Sequence, residues 1–251
     1  MSNVHIVLQG KGGVGKSLAA SMLAQFLLSR GETPLCIDTD PTNATFAGFK
    51  AFNVQKLALL ENGDINPRNF DAMMELVAGA KGSVVIDSGA SSYQPLSAYM
   101  FDNGAAEVIA DLGHQLVLHT LVVGGQSMTD TIAGFASIAD AFPAPATIVA
   151  WLNPYHGPIE HEGKGFEQMK VYRENKDRVA AIVALPDLKR ETFGADVRDM
   201  LAERKTFAEA IDNPALPLMQ RHRLGRMRDA IFGELTKAAI IWWPIMPESA
   251  R

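Results

Sequence analysis

Short, predominantly apolar runs alternate along the chain with longer stretches in which apolar residues recur every three or four positions. The runs His5–Leu8, Thr33–Ile37, Val84–Ile86, Gln115–Val123, Thr147–Leu152 and Val179–Leu185 predict strands buried on both faces, several of them rich in Val and Ile. The stretches Ser17–Ser29, Asn69–Ala78, Met128–Ala141, Phe166–Asn175 and about Leu216 to Ile241 predict helices. This alternation predicts an α/β fold, a doubly wound, mostly parallel sheet with helices on both faces. Ligands of such sheets bind beyond the carboxyl ends of the strands, so the candidate chemistry is sought there. No repeat, low-complexity tract or Gly/Ser linker interrupts the pattern. One domain is therefore expected over residues 1–244, with 245–251 a loose tail.

After the first run comes Gly10-Lys11-Gly12-Gly13-Val14-Gly15-Lys16-Ser17. Two glycines with four residues between them, followed by Lys and Ser, make a P-loop pattern. Such glycines let backbone N–H groups turn inward around phosphates, and the following helix adds its N-terminal dipole. The nucleotide-binding set is then Gly12, Gly13, Val14, Gly15, Lys16, Ser17 and Leu18. Lys16 is expected on the β- and γ-phosphates and Ser17 on Mg²⁺. Strand, loop and helix follow in the order this chemistry needs.

Carboxylates end two further runs. In Asp38-Thr39-Asp40-Pro41, acids at i and i+2 of an extended segment point the same way; a solvated turn before Pro41 is the plainer reading. Val84-Val85-Ile86-Asp87 is a Walker B pattern, an apolar strand delivering an acid to the magnesium shell.

Lys11 narrows the class, because an ordinary P-loop tolerates almost any residue there. Lys11-Gly12-Gly13-Val14-Gly15-Lys16-Ser17 resembles the deviant Walker A loop of the ParA/MinD/iron-protein ATPases. The resemblance implies an ATP-bound sandwich homodimer, with Lys11 reaching the partner's nucleotide across the nucleotide face. A cation arriving only on dimerisation would stabilise phosphoryl transfer as an arginine finger does. It also implies that Asp40 orients the attacking water and that Asp38 assists the Mg²⁺ shell and P-loop. Metal-shell candidates are thus Ser17, Asp38, Asp40 and Asp87, and catalytic candidates Lys11, Lys16 and Asp40. Thr42, Asn43 and Ala44 resemble a first switch, and Ser88–Pro95 reads as a mobile second one. Asn153 matches the family's adenine-reading asparagine, although an Asx-turn before Pro154 would use the same amide. Pro186 and Asp187 fall where the family packs backbone against the base.

Further segments, among them Asn153-Pro154-Tyr155-His156-Gly157-Pro158-Ile159 and Glu191-Thr192-Phe193-Gly194, are similar to the TraL/StbC-type ATPases of conjugative plasmids. This likeness runs from the P-loop to about Ile211. It implies slow, partner-stimulated ATP hydrolysis in support of conjugative transfer or plasmid maintenance, with a conjugation or partition protein as partner. Two other classes stay open: an enzyme that phosphorylates or ligates a small carboxylate, in the manner of dethiobiotin synthetase, and a non-hydrolysing ATP-binding scaffold. Lys11 weighs against the first. Lys11, Asp40 and Asp87 together weigh against the second.

Composition trims the picture further. With 23 basic and 28 acidic residues, the net charge is −5, which disfavours a globally basic duplex-DNA reader but leaves room for a local patch. The single Cys36 excludes a disulfide framework and any cluster needing two thiolates from one chain, as in nitrogenase-type iron proteins. The N-terminus lacks the character of a signal peptide and no apolar run reaches the roughly 20 residues of a membrane span, so a cytoplasmic protein is expected. Three stretches keep two readings each. His156–Glu162 is a polar loop over the nucleotide or, with a third converging ligand, a metal site. Arg221, Arg223, Arg226 and Arg228 are a nonspecific DNA contact or a solvated helix face. Ile231, Phe232, Leu235, Ala238, Ala239, Trp242 and Trp243 form a helical stripe that packs on the sheet or touches a membrane.

Overall fold

The computed structural model describes residues 2–142, 144–187 and 190–242. The strands are β1 (Ser2–Val7), β2 (Leu35–Asp38), β3 (Gln55–Lys56), β4 (Leu60–Glu61), β5 (Asp64–Ile65), β6 (Val84–Asp87), β7 (His114–Val123), β8 (Thr147–Asn153), β9 (Glu160–His161), β10 (Lys164–Gly165) and β11 (Val179–Ala184). The helices are α1 (Lys16–Ser29), α2 (Asp71–Ala78), α3 (Tyr93–Asp102), α4 (Ala105–Asp111), α5 (Met128–Ala141), α6 (Lys170–Asn175), α7 (Ala195–Ala202), α8 (Phe207–Ile211) and α9 (Leu218–Trp242).

Seven strands form one sheet in the order β11-β8-β7-β1-β6-β2-β3, and each neighbouring pair is parallel. Side chains alternate between its faces with a period of two. Val7, Val85, Val117, Leu121, Val149 and Trp151 pack toward α1, α7, α8 and α9. Val4, Ile6, Val84, Ile86, Leu118 and Ala150 pack toward α2 through α6. Both faces are covered, which is why the strand sequences are apolar throughout. α1 is buried almost all round because it lies between sheet and α9, where Phe26 meets Phe232 edge-on at 5.6 Å.

One polar chain crosses this apolar face. The Trp151 indole N–H donates to His119 Nδ1 at 2.9 Å, and His119 Nε2 lies 2.9 Å from His5 Nδ1. An indole can only donate, so His119 carries its proton on Nε2 and passes it toward His5. Burial lowers the His5 pKa to about 3 and puts His119 well below its usual value, so both rings are neutral.

α3 and α4 are absent from the sequence pattern, and α3 begins within the Ser88–Pro95 stretch read as a second switch; three further departures have local causes. The helix expected over Phe166–Asn175 is a 3₁₀ turn followed by α6, parted at Met169, whose backbone is extended; Phe166 turns inward onto Phe135 instead. The edge strand β3 and the hairpin β4–β5 are too short to leave a periodicity. α7 and α8 are likewise short, although α8 has a capping box in which Thr206 and Glu209 satisfy each other's backbone.

Candidate nucleotide site

The phosphate side is built at the carboxyl end of β1, the central strand at which the chain crosses to β2 on one side and later returns to β7 on the other. Gly15 precedes α1 with φ at 103°, a left-handed conformation that disfavours side chains. No side chain caps the helix, so its first N–H groups face a cavity of about 490 Å³ with their hydrogen-bonding capacity intact. Gly12, Gly13, Gly15, Lys16, Ser17 and Leu18 line it, facing Asp40, Thr42 and Asn43 on one side and Ser88, Ala90 and Ser91 on another. The loop is braced from behind by Gln9, whose amide nitrogen donates to the carbonyls of Leu121 at 2.9 Å and Thr131 at 3.2 Å.

The two lysines of the loop part company. Lys16 is buried and donates to the Lys11 carbonyl at 3.1 Å. Desolvation lowers its pKa, opposed by the charges of Asp87 and Asp40. Lys11 does not line the cavity. Its ammonium lies 2.8 Å from Asp130 in the first turn of α5, with both side chains about half exposed.

Register brings two acids side by side, since Asp38 and Asp87 are direct partners across β2 and β6. Their environments differ. Asp38 accepts from the backbone N–H groups of Asp40 at 2.9 Å and Ala47 at 2.8 Å, so both its oxygens organise the segment after β2. Burial still raises its pKa, against those two hydrogen bonds. Asp87 is fully buried and neither oxygen closes a hydrogen bond. Burial pushes its carboxyl up to about 8, with Asp38 and Asp40 adding to the rise and the nearby Ser17 hydroxyl and Lys16 opposing it. Two orphaned carboxylate oxygens beside a serine hydroxyl are a hard-oxygen donor set, and they fit a magnesium ion with its water shell. Asp40 sits at the cavity edge, its Oδ1 accepting from the N–H groups of Thr42 and Asn43 at 2.9 Å each.

A second, apolar pocket of about 290 Å³ adjoins this cavity across Gly13, Gly15 and Leu18 and is the candidate base side. Asn153, Pro186 and Asp187 line it, together with Leu18, Tyr155, Val197, Leu201 and Met227. The Asn153 amide is engaged within the protein. Its nitrogen donates to the Val14 carbonyl at 3.0 Å and its oxygen accepts from Tyr155 N–H at 3.1 Å. Asn153 thus ties the P-loop to the end of β8, leaving its second N–H and second lone pair for a ligand. The residues from α7 and α9 escaped the sequence reading because they are ordinary apolar helix positions, and only the fold brings them here.

The remaining stretches resolve unevenly. His156–Glu162 runs into the small hairpin β9–β10, and no group of three metal-ligating side chains occurs among the described residues. Of the basic cluster, Arg223 is committed to the nearly buried Asp196 through two hydrogen bonds, and Arg226 lies over the Phe193 ring. In the apolar stripe, Ile231, Leu235 and Ala238 are buried and Phe232 packs partly against the same core. The side chains of Ala239, Trp242 and Trp243 and the expected tail at 245–251 lie outside the described residues. Among the described residues no helix is long and apolar enough to cross a membrane.

A phosphate cradle of this build at a central parallel strand defines a P-loop nucleotide-binding protein. Residues 5–218 match the CobQ/CobB/MinD/ParA nucleotide binding domain, and the chain belongs to that family. It is 54% identical to Protein TraL of Escherichia coli over 241 residues, which cover 96% of this chain and all of that protein. Protein MobD of Acidithiobacillus ferrooxidans is 24% identical over 229 residues, 90% of this chain and 93% of that one. Among solved structures, the MinC:MinD cell division protein complex of Aquifex aeolicus matches with a TM-score of 0.54 at 12% identity over 98% of both chains, a likeness of fold.

Proposed function

We propose that the chain is an ATP-dependent dimerisation switch whose slow hydrolysis of ATP acts as a timer. The observation that carries this reading is the separation of the two lysines. Lys16 lies inside the phosphate cavity, while Lys11 is aimed away from it and half exposed. A cation of that loop that does not serve its own phosphates, and is held only by a half-exposed ion pair with Asp130, can serve those of a second copy. In this reading Lys16 holds the β- and γ-phosphates, Asp40 orients the attacking water, and Ser17 and Asp87 hold Mg²⁺ with Asp38 positioning Asp40. The ion, when bound, neutralises charge that develops on the phosphate oxygens. Thr42, Asn43 and Ser88 line the cavity and would contact a γ-phosphate only while it is present, which would give the two nucleotide states different free energies. Asn153, Pro186 and Asp187 receive the base.

The near-full-length likeness to Protein TraL supports a role in conjugative transfer or plasmid maintenance, with the ATP dimer recruiting a partner protein. Nonspecific DNA contact through Arg221, Arg226 and Arg228 would need Arg228 to leave Asp229, and Arg223 is held by the nearly buried Asp196. The test is the mass in solution, by light scattering after gel filtration, with ADP and with ATP plus Mg²⁺. The Asp40→Ala variant is expected to dimerise with ATP alone, and Lys11→Ala is expected to remain a monomer. One mass in every state would sink the sandwich dimer.

A further inference from the structure

We propose that Gly89 is a positioning residue. Its missing side chain leaves the space in which the Asp40 carboxylate sits, so the segments after β2 and β6 are mechanically one unit. The consequence for turnover rests on the reading of Asp40 as the residue that orients water.

A Cβ built on Gly89 would lie 2.6 Å from Asp40 Cγ and 2.8 and 2.9 Å from its two oxygens. Carbon atoms do not approach so closely without displacement. The backbone of Gly89 is not in the left-handed region, so contact with Asp40 is what excludes a methyl group there. The carboxylate is not a loose end that could swing aside. Its Oδ1 accepts two backbone N–H groups at 2.9 Å, and the Asp40 backbone N–H donates to Asp38 Oδ1 at 2.9 Å. Gly89 is no freer. The Ser88 hydroxyl donates to the Val7 carbonyl at 2.7 Å, and the Ser92 hydroxyl donates to the Gly89 carbonyl at 3.2 Å. Thr39 donates to the Asp87 carbonyl from both its N–H and its hydroxyl, at 2.9 Å each. A methyl group at position 89 must therefore push Asp40, and with it the N–H groups of Thr42 and Asn43.

The test uses the full chain with Gly89→Ala, Asp40→Ala and the double variant. Amide hydrogen exchange of the nucleotide-free protein reads the position directly. Gly89→Ala is expected to speed exchange at the N–H groups of Thr42 and Asn43, which Asp40 holds in wild type, and unchanged exchange at both would overturn the proposal. MgATP turnover reads the consequence. Gly89→Ala is expected to lower kcat on the order of tenfold or more while ADP affinity stays within about twofold. Adding Gly89→Ala to Asp40→Ala is expected to change kcat no further, whereas an equal loss in both backgrounds would mean that Gly89 acts elsewhere. Wild-type turnover by Asp40→Ala would remove the water-orienting reading alone, and the exchange result would still decide the contact. If Gly89→Ala does not fold, Gly89→Ala/Asp40→Gly restores the space and is expected to fold; its failure to do so would also overturn the proposal.

Discussion

The two halves of the nucleotide site are made in opposite ways. The proposed phosphate half comes from three short contiguous segments at the ends of β1, β2 and β6, and is lined by glycines, Lys16, Asp40 and small polar side chains. The base half is assembled from β8, the segment after β11, α7 and α9, and is lined mostly by apolar side chains. The contrast fits what each half is proposed to recognise. A triphosphate demands donors and charges at fixed separations, which only particular residue types at particular spacings supply. A flat heterocycle demands a slot, and many apolar side chains can line a slot.

The largest test of that contrast is Lys16→Ala. It removes a charge-assisted contact from a buried site and is expected to reduce ATP affinity at least about 100-fold by calorimetry, a loss of roughly 3 kcal/mol. Retained affinity would mean that the base half alone anchors the nucleotide. Asp87→Asn comes next and separates function from stability. With its folded pKa raised from 3.8 to about 8, Asp87 in the metal-free protein keeps a proton that the unfolded chain releases. Stability is therefore expected to fall as pH rises from about 4 to 8 and to level off above that, by roughly a few kcal/mol in all. Asp87→Asn is expected to lose Mg²⁺-dependent ATP affinity, yet to melt above the wild type at pH 8.5 and to lack that part of the pH slope. A variant that melts lower at pH 8.5 would show that the buried charge is not destabilising.

On the base side, Met227→Ala enlarges the slot without touching any phosphate ligand. A loss of about tenfold is expected, equal for ATP and ADP, because the contact does not sense the γ-phosphate. A loss confined to ATP would move Met227 into the switch. The smallest effect is expected from Asp130→Asn. The ion pair it breaks is half exposed on both sides, so freeing Lys11 is expected to tighten the ATP dimer by no more than about fivefold in dissociation constant. Weaker dimerisation would instead make Asp130 part of the interface.

These expectations also mark what could be read before any coordinates. Lys16, Ser17 and Asp87 stand out because chemistry leaves few substitutes for them, and the parallel sheet follows from runs that must be buried on both faces, whereas the order of its strands does not. Val197, Leu201 and Met227 are illegible as site residues, since a pocket-lining methionine and a core methionine look alike in sequence. The pairing of Arg223 with Asp196 is hidden for a related reason. A cluster of arginines on one helix has the same pattern whether each faces solvent or one folds back onto a neighbouring helix. The division of duties between Asp38 and Asp87 needed the register, which puts one carboxylate on backbone donors and leaves its neighbour with none.

The Trp151–His119–His5 chain across the sheet has a direction, because the donor-only indole sets the proton position on each ring behind it. Three residues on three strands are thereby bound to a common fate. An apolar residue at position 119 alone would strand a buried indole N–H, whereas apolar residues at positions 119 and 151 together remove that donor along with its acceptor. Drift at these positions is expected to proceed in concert, so that relatives of this chain carry either the whole relay or none of it.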